Sequence, residues 1–257
     1  MANVLAVGDD GRTHAMIDGL RRSKQVNEIH CAPGHHLIPN IHQVGIEPTN
    51  IEALARYAKA NRIDLTIVGP EAPLFAGIAD EFIAQGLPIF GPTKAAARLE
   101  SSKAFCKQLA KQYQIPTAGF EIFDDPCEAR NYVRRQSLPI VIKPDGPAEG
   151  KGVTIAETYR QADFAIEEAL IDRKFGNASC PIIIEDFLDG RECSIIANTD
   201  GEEIILFEAA RDYKQLSKTD KRMTGGMGAY SPVAYVSPAL MQAAKQEIID
   251  ASHAAAA

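Results

Sequence analysis

The sequence predicts an α/β protein in which crossover helices cover a parallel sheet. Short apolar runs alternate along the chain with amphipathic segments, which is the order that strand-helix-strand units require. Several of these runs stop at glycine or proline, as residues 4–7 do at Gly8 and residues 65–68 do at Gly69. With 257 residues, of which 46% are apolar, the chain is long enough to bury two or more compact cores.

The composition excludes several classes of protein. The net charge of -7 argues against a general affinity for nucleic acid, but it allows a local cationic pocket for a small phosphorylated molecule. No apolar run is long enough to span a bilayer and no basic leader precedes the first strand, so we expect no membrane association and a cytoplasmic location. The five cysteines lack C-x-x-C spacing, which indicates neither a disulfide framework nor a zinc site. Four histidines, His30, His35, His36 and His42, are interpreted as solvated loop residues rather than metal ligands.

Up to about residue 120 the predicted elements form one Rossmann-like unit. The strand at 4–7 is followed by a helix that runs through Leu20. The next helix, at 51–58, has apolar residues at positions i, i+3, i+4 and i+7, and Asn50 is suited to cap its N-terminus. Strands follow at 64–69 and 87–90, each closed by glycine and proline.

Beyond Ile115-Pro116 the pattern changes to a smaller module that is rich in strands. The predicted strands are at 117–123, 139–143, 153–156 and 182–185, and the predicted helices are at 126–135 and 160–172. Asp200-Gly201 separates the apolar runs 193–197 and 204–207, which predicts a β-hairpin. The last segment, 241–257, is predicted to be helical.

A lysine and a glycine-rich loop suggest a phosphate site. Lys143 ends a predicted buried strand, where an ionised amine needs an anion to offset its desolvation. The loop 146–152 follows at once, and its glycines permit positive φ and close backbone approach, so that amide N–H groups can point at phosphate oxygens while Lys151 neutralises charge. The alternative is a mobile surface turn with one basic residue.

The strand at 182–185 supplies the second part of a nucleotide site. Its last residues, including Glu185, offer backbone groups to an adenine edge, while Phe187 and Leu188 offer apolar contact to the ring. Glu192 can accept hydrogen bonds from ribose hydroxyls. The alternatives are ordinary core positions for Phe187 and Leu188 and solvated strand ends for the two glutamates. The ordered combination with Lys143 and the loop favours a nucleotide site.

This order of lysine, glycine-rich lid, hinge and ribose glutamate resembles the ATP-grasp fold. Other segments resemble one family within it, the glycinamide ribonucleotide synthetases (phosphoribosylamine-glycine ligases) of purine biosynthesis. The matching segments are at 11–15, 31–34, 63–74, 89–96, 100–105 and 224–232 and span nearly the whole chain. The strings V-G-P-E-A-P-L at 68–74 and G-G-M-G-A-Y-S-P at 225–232 are far more specific than a lone glycine motif.

The resemblance implies three parts and a reaction. A Rossmann-like pre-ATP-grasp domain is expected at 1–120, the small lid subdomain of the ATP-grasp fold at 121–189, and the beginning of its large subdomain at 190–257. The reaction would join glycine to 5-phosphoribosylamine at the expense of ATP, through a glycyl phosphate.

The resemblance also assigns roles to residues. It implies that ATP is bound by Lys103, Lys143, Gly150, Lys151, Gly152, Val153, Glu185, Phe187, Leu188 and Glu192. It implies that the substrates are bound by Gly11, Pro33, Gly34, Gly69, Pro70, Glu71, Gly225, Gly226, Met227, Gly228, Tyr230 and Ser231. Lys151, Asp212 and Lys214 are the expected catalytic residues. Magnesium or manganese is the expected metal, with ligands beyond residue 257 and none in this chain.

Departures from the family pattern leave two alternatives open. Asp9 and Asp10 stand where the family has small residues, Thr13 stands where it has an acidic one, and the lid contains Pro144, Pro147 and Glu149. These changes suit an ATP-grasp paralogue that joins a different carboxylate and amine. The expected lack of metal ligands suits a non-catalytic nucleotide-binding module.

Overall fold

The computed structural model describes residues 1–148, 152–217 and 223–256. The chain forms two compact units, Met1–Arg98 and Leu99–Ala257. The sequence placed a boundary at residue 120 instead, and the three-part division that it suggested stays a prediction.

The first unit is an α/β unit with a five-stranded sheet. Its strands are β1 (Ala2–Gly8), β2 (Val26–Pro33), β3 (His42–Gln43), β4 (Leu65–Val68) and β5 (Ile89–Phe90). Its helices are α1 (Gly11–Arg22), α2 (Ile51–Ala60), α3 (Glu71–Ala76) and α4 (Ile78–Ala84). The strand order is β3-β2-β1-β4-β5, and every pairing is parallel. The predicted α/β class and Rossmann-like first part are confirmed.

The central strand β1 is buried on both faces because it supplies alternate residues to two cores. Val4 and Ala6 belong to a core with Ile17 of α1. Leu5 and Val7 belong to a core with residues of α2 and α4, among them Leu54 and Phe82. Strands buried in this way are continuous apolar runs, which is why the sequence showed β1 so clearly. The predicted cap of α2 is present, since Asn50 Oδ1 accepts a hydrogen bond from the N–H of Ala53 at 3.3 Å.

His30 is buried in a strand, although the sequence suggested a solvated loop residue. His30 lies in β2 and is only 6% exposed, and its Nδ1 is 2.8 Å from the Tyr57 hydroxyl oxygen. His42 stacks on the His30 ring with 4.8 Å between ring centroids. The solvated-loop interpretation is therefore wrong for His30, because Val26–Pro33 form strand β2, which was not predicted from the sequence; His42 is exposed but lies in strand β3.

The second unit begins with helices and a four-stranded antiparallel sheet. Its first helices are α5 (Arg98–Ser101, at the junction), α6 (Lys103–Gln112), α7 (Pro126–Val133) and α8 (Tyr159–Ile166). Its sheet strands are β6 (Phe120–Phe123), β7 (Ile140–Pro144), β8 (Thr154–Ala156) and β9 (Ile182–Asp186), in the order β6-β9-β7-β8. A π-helical turn, Glu167–Ile171, extends α8, and a 3-10 turn, Gly176–Ser179, precedes β9.

The two faces of this sheet have different roles. Ile140 and Ile142 of β7 and Ile182 and Ile184 of β9 belong to a core with residues of α7 and α8. The opposite face carries the alternate residues of the same strands, which include Lys143 and Glu185. Lys143 and Glu185 thus lie on the face away from α7 and α8.

The rest of the second unit consists of two hairpins and a helical end. The hairpin strands are β10 (Ala197–Thr199), β11 (Ile204–Leu206), β12 (Arg211–Gln215) and β13 (Met223–Tyr230). The hairpin predicted at Asp200-Gly201 is confirmed, with Asp200 Oδ1 accepting from the N–H groups of Glu202 and Glu203 at 3.0 and 2.8 Å. The last helices are α9 (Pro238–Ala244) and α10 (Asp250–Ala256), joined by a π-helical turn at Lys245–Ile249. None of the helices described is long and apolar enough to cross a membrane.

Candidate functional site

A buried ion pair lies on the face of the second unit's sheet that is turned away from α7 and α8. In the register of β7 and β9, Lys143 is opposite Ile183 and Glu185 is opposite Val141, so Lys143 and Glu185 are diagonal neighbours on one face. Lys143 Nζ is 2.8 Å from Glu185 Oε2, and the glutamate side chain is 6% exposed. The predicted need of Lys143 for an anion is met here by a carboxylate. The lysine side chain is 25% exposed and can still be reached from solvent.

Lys103 lies beside the start of the glycine-rich loop. Helix α6 begins where Asp145, at the end of β7, accepts hydrogen bonds from Ser102 Oγ at 3.0 Å and from the N–H of Ala104 at 2.7 Å. This places Lys103 Nζ 3.2 and 2.9 Å from the carbonyl oxygens of Asp145 and Gly146. Burial lowers the pKa of Lys103, while the carboxylates of Glu100 and Asp145 act in the opposite direction. Two predicted ATP-binding lysines therefore meet at one end of β7.

Gly146 and Gly152, at the two ends of the loop, serve close packing rather than positive φ. A Cβ on Gly146 would lie 2.7 Å from Ala178 Cβ, and a Cβ on Gly152 would lie 2.6 Å from Pro144 Cγ. Neither glycine has a positive φ, so this part of the sequence prediction is wrong for both. Glu149, Gly150 and Lys151 lie outside the described residues, and Val153 is half-buried just before β8.

The segment after β9 exposes the apolar side chains that the sequence assigned to adenine. The N–H of Asp186 donates to the carbonyl oxygen of Gly119 at 2.9 Å, which ties the end of β9 to the start of β6. Phe187 is 39% exposed and Leu188 is 70% exposed, so neither is an ordinary core residue. The carbonyl oxygen of Glu192 accepts a hydrogen bond from the Tyr235 hydroxyl, and its side chain is exposed.

Lys107 also belongs to the charged side chains around Glu185, and it was not predicted from the sequence. Its Nζ is 3.4 Å from Glu185 Oε2 and donates to Thr117 Oγ1 at 2.7 Å. It is one helical turn beyond Lys103 on α6, so the i, i+4 spacing was the signal that could have found it. Asp145 was missed as well, since its capping of α6 depends on residues about forty positions apart in the sequence.

Two of the three expected catalytic residues, Asp212 and Lys214, lie on the hairpin of β12 and β13. Lys214 Nζ is 3.4 Å from Asp212 Oδ2, and both side chains are at least a third exposed. Gly228 is opposite Tyr213 in the register, and the backbone of Lys214 accepts from Thr224 Oγ1 at 2.8 Å. Met227 and Tyr230 are exposed, and Ser231 Oγ donates to the carbonyl oxygen of Ala209 at 2.9 Å. Gly225 and Gly226 also lie on β13, where Gly226 has a φ of 139°.

The first unit brings its predicted substrate residues to the carboxyl edge of the sheet. The chain leaves β1 on one side towards β2 and returns on the other side at β4, which makes the gap between β1 and β4 a topological switch point. Thr13, fully buried, fills this gap, and a Cβ on either Gly8 or Gly69 would lie 2.2 Å from its Oγ1. The same hypothetical Cβ on Gly8 would lie 2.6 Å from Pro70. Small residues are therefore required where β1 and β4 end.

Arg12 connects the two sides of this crevice. Its two Nη atoms bind the two carboxylate oxygens of Glu71 at 2.8 and 2.9 Å, and its Nε binds Asp10 Oδ2 at 3.0 Å. The hydrogen bonds from Arg12 lower the pKa of Glu71. Burial acts to raise the pKa of Asp10, but hydrogen bonds from Thr13 and Arg12 outweigh it and the net shift is downward. Asp10 is therefore a capping residue paired with a cation, and the negative charge expected at Asp9-Asp10 is partly neutralised.

The remaining predicted substrate residues follow β1 and β2. Gly11 starts α1 and is exposed, with no atom within 4 Å of a hypothetical Cβ. Pro33 is opposite Gly8 in the register, and Gly34 has a φ of 80°, in the region that favours glycine. Cys31 is buried beneath them, and burial raises the pKa of its thiol to about 11, so it is an inert thiol rather than a nucleophile.

Comparison with protein-family models divides the chain into two matches. Residues 2–100 match the N domain of phosphoribosylglycinamide synthetase, and residues 101–255 match the ATP-grasp (A) domain of phosphoribosylglycinamide synthetase. The change from one match to the other falls close to the division between the two compact units, Arg98 and Leu99.

Curated relatives agree with these matches. The phosphoribosylamine--glycine ligase of Pasteurella multocida is 43% identical over 251 residues, which are 96% of this chain and 58% of that protein. The phosphoribosylamine--glycine ligase of Neisseria meningitidis is 44% identical over 250 residues, which are 96% of this chain and 59% of that protein. The chain thus spans less than two thirds of the length of these relatives.

Solved structures share the fold. The crystal structure of phosphoribosylamine--glycine ligase from Thermotoga maritima has a TM-score of 0.80 at 29% identity and covers 98% of this chain and 61% of that one. A carboxyaminoimidazole ribonucleotide synthase from Aspergillus clavatus, complexed with ATP, has a TM-score of 0.71 at 20% identity and covers 99% of this chain and 63% of that one. At 20% identity, the similarity to the Aspergillus clavatus structure shows only that the fold is shared.

Proposed function

The chain belongs to the phosphoribosylglycinamide synthetase family, and we propose that it supplies the substrate-binding and nucleotide-binding parts of an ATP-dependent ligase. The reaction joins glycine to 5-phosphoribosylamine and yields glycinamide ribonucleotide, ADP and phosphate in purine biosynthesis. The observation that carries this proposal is the convergence of Lys103, Lys143 and the ends of the glycine-rich loop around the last residues of β7.

The proposed nucleotide site uses residues of the second unit. Lys103 and Lys143 bind ATP phosphates, together with Gly152, Val153 and the loop residues Gly150 and Lys151. The exposed Phe187 and Leu188 contact the adenine ring, Glu185 lies beside its edge, and Glu192 accepts from the ribose. Each charge-assisted contact to a phosphate contributes about 1.5 to 3 kcal/mol when it is shielded from water.

The proposed reaction proceeds in two steps. A glycine carboxylate oxygen attacks the γ-phosphorus of ATP, the bond to the β,γ-bridging oxygen breaks, and ADP leaves. The amine nitrogen of phosphoribosylamine then attacks the carbonyl carbon of glycyl phosphate, phosphate leaves with its oxygen, and the nitrogen loses a proton. The protein forms no covalent bond in this scheme, so it acts by positioning the reactants and neutralising their charge.

The substrates are assigned to two places by the proposal. Phosphoribosylamine binds at the carboxyl edge of the first unit's sheet, at Gly11, Pro33, Gly34, Gly69, Pro70 and Glu71. Acyl transfer takes place beside Asp212 and Lys214, with Lys151 as the third catalytic residue and with residues 225–228, Tyr230 and Ser231 holding the substrate. The Asp212–Lys214 ion pair is exposed enough to rearrange when a charged substrate arrives.

The proposed cofactor is ATP, with magnesium or manganese as its metal. Such a metal takes oxygen ligands from carboxylates and ATP phosphates. Within residues 1–148, 152–217 and 223–256, no group of three or more His, Cys, Asp or Glu side chains is placed to hold a metal ion.

Lys143→Met tests the nucleotide site. Calorimetry should show that the 257-residue chain binds ATP and that Lys143→Met weakens this binding at least about tenfold, because a charge-assisted phosphate contact is lost. Lys59→Met, at an exposed lysine of α2, is the control and should bind ATP as the unmodified chain does. Equal affinities for the two variants would contradict the proposed site.

Turnover tests the proposed substrates. A protein with the full length of its relatives should release ADP and phosphate only when glycine and phosphoribosylamine are both present. Turnover with a different amine and none with phosphoribosylamine would favour the ATP-grasp paralogue. ATP binding with no turnover of any such pair would favour the non-catalytic module.

A further inference from the structure

One buried carboxylate in the second unit is shared by two lysines. Lys143 Nζ and Lys107 Nζ lie 2.8 and 3.4 Å from the same oxygen, Oε2 of Glu185. The side chains of Glu185 and Lys107 are only 6% and 14% exposed. Burying a carboxylate this deeply costs free energy that a neighbouring cation has to offset.

The two lysines are held differently. Lys143 lies at the end of β7, and its side chain is 25% exposed, which leaves its ammonium open to a ligand. Lys107 is fixed by a second hydrogen bond, to Thr117 Oγ1 at 2.7 Å, and its Nζ lies 5.6 Å from the centroid of the Phe120 ring. Lys107 is therefore suited to remain in place, and Lys143 is suited to change partner.

The proposed function requires such a change of partner at Lys143. If Lys143 turns its ammonium towards a nucleotide phosphate, Glu185 loses its nearest counter-ion. The third lysine of the cluster, Lys103, donates to the carbonyl oxygens of Asp145 and Gly146, not to Glu185. Among the residues that the structure describes, Lys107 then remains as a cation in contact with the Glu185 carboxylate.

We propose that Lys107 is a positioning residue of the nucleotide site, which keeps Glu185 neutralised so that Lys143 is released to bind a phosphate of ATP. This inference rests on the proposed ATP site and adds a role for a lysine that does not touch the nucleotide. Lys107 is therefore needed for the binding of nucleotide phosphates. Adenosine has no phosphate, so it binds without releasing Lys143 from Glu185.

Lys107→Met and Lys111→Met form a matched pair of variants. Both ammonium groups lie over the Phe120 ring, at 5.6 and 5.8 Å from its centroid, but only that of Lys107 contacts Glu185. Calorimetry should show that Lys107→Met weakens ATP binding at least about tenfold, because Lys143 must then stay with the buried carboxylate. Adenosine binding should change less than about threefold, and Lys111→Met should change neither affinity.

A Glu185→Gln variant separates the proposed role of Lys107, the neutralisation of Glu185, from a purely structural role of Lys107. In a Glu185→Gln chain there is no carboxylate to neutralise, so adding Lys107→Met should weaken ATP binding less than about threefold further. Lys107→Arg, which keeps the positive charge, should retain ATP affinity within about threefold in the unmodified background. If Lys107→Met does not fold, Lys107→Gln takes its place. Lys107→Arg should then retain ATP affinity, and Lys107→Gln should weaken it.

The outcomes distinguish the inference from the function on which it rests. Loss of ATP and adenosine binding to the same degree, or an equal effect of Lys107→Met with and without the Glu185 carboxylate, would overturn the role of Lys107 and leave the ATP site standing. An unmodified chain that binds no ATP would overturn both.

Discussion

At the scale of single residues, the charge pattern of the first unit depends on Arg12. The sequence places the acidic residues Asp9 and Asp10 directly after the first strand, where the family has small residues. In the structure Arg12 binds both carboxylate oxygens of Glu71 and one of Asp10, while Asp10 also caps α1 through the N–H of Thr13 at 2.9 Å. Through Arg12, Asp10 and Glu71 thus help to hold the first turn of α1 to the first residue of α3.

The Arg12–Glu71 pair predicts a pH-dependent contribution to stability. The hydrogen bonds from Arg12 place the pKa of Glu71 below its usual value, so the pair stabilises the folded state above a pH of about 4.3 and loses this effect as the pH falls through the lowered pKa. Glu71→Gln should lower the free energy of unfolding at neutral pH by up to about 1 kcal/mol, since both side chains are partly exposed. Urea unfolding at several pH values should show that the difference disappears in acid.

A control for this experiment is available on α2. Glu52 and Arg56 form an ion pair at 3.7 Å between side chains that are 83% and 73% exposed. Glu52→Gln should change the free energy of unfolding by no more than about 0.5 kcal/mol. A loss for Glu71→Gln that persists unchanged at low pH would contradict the ion-pair explanation.

At the scale of elements, the β7-loop-β8 segment is held at both ends of its loop. Lys143 and Asp145 attach the end of β7 to Glu185 and to the first turn of α6, and Gly146 and Gly152 allow the loop to approach Ala178 and Pro144 closely. The loop therefore starts and ends at defined points. This arrangement suits a nucleotide-binding lid, because its anchors are fixed where the lysines converge.

Gly152→Ala tests this anchoring. The added methyl group would lie 2.6 Å from Pro144 Cγ and 2.9 Å from Ala148 Cβ, so the loop end must shift, at a cost of about 1 to 3 kcal/mol. We expect lower stability in thermal unfolding and weaker ATP binding in calorimetry. Gly190→Ala is the control, because nothing lies within 4 Å of its hypothetical Cβ and its φ is not positive. If both variants bind ATP equally well, the loop end is not an anchor of the site.

At the scale of the whole molecule, two units have separate cores. The cores of the first unit are built around β1, and the core of the second is built around β7 and β9. The proposed ATP contacts lie in the second unit alone. A ligand that binds only the folded form of one unit stabilises that unit by mass action.

This separation predicts a local response to ATP. At a hundred times its dissociation constant, ATP should stabilise the second unit by about 2.7 kcal/mol. Hydrogen exchange should then show added protection in Ile140–Pro144 and Ile182–Asp186, with little change in Ala2–Gly8. Equal added protection in both units would mean that they unfold together.

Much of the fold was visible in the sequence because it depends on local pattern. The central strand β1 is a continuous apolar run, α2 shows its helical period and its Asn50 cap, and the hairpin of β10 and β11 follows from Asp200-Gly201. The carboxyl ends of parallel strands meet at one edge, so Gly8 and Gly69 could be placed there from their positions after apolar runs.

The sequence alone therefore determined the strands that are clear apolar runs, the glycine and proline ends of those strands, and the presence of lysines suited to phosphate, but it did not show strands β2, β12 and β13 or helix α6. Only the tertiary structure decided how these residues are paired: Lys107 and Lys143 with Glu185, Asp145 with the first turn of α6, and Arg12 with Glu71. These partners are tens of positions apart in the sequence. Their pairing depends on strand order, register and helix placement, which a local periodicity of two or 3.6 residues does not encode.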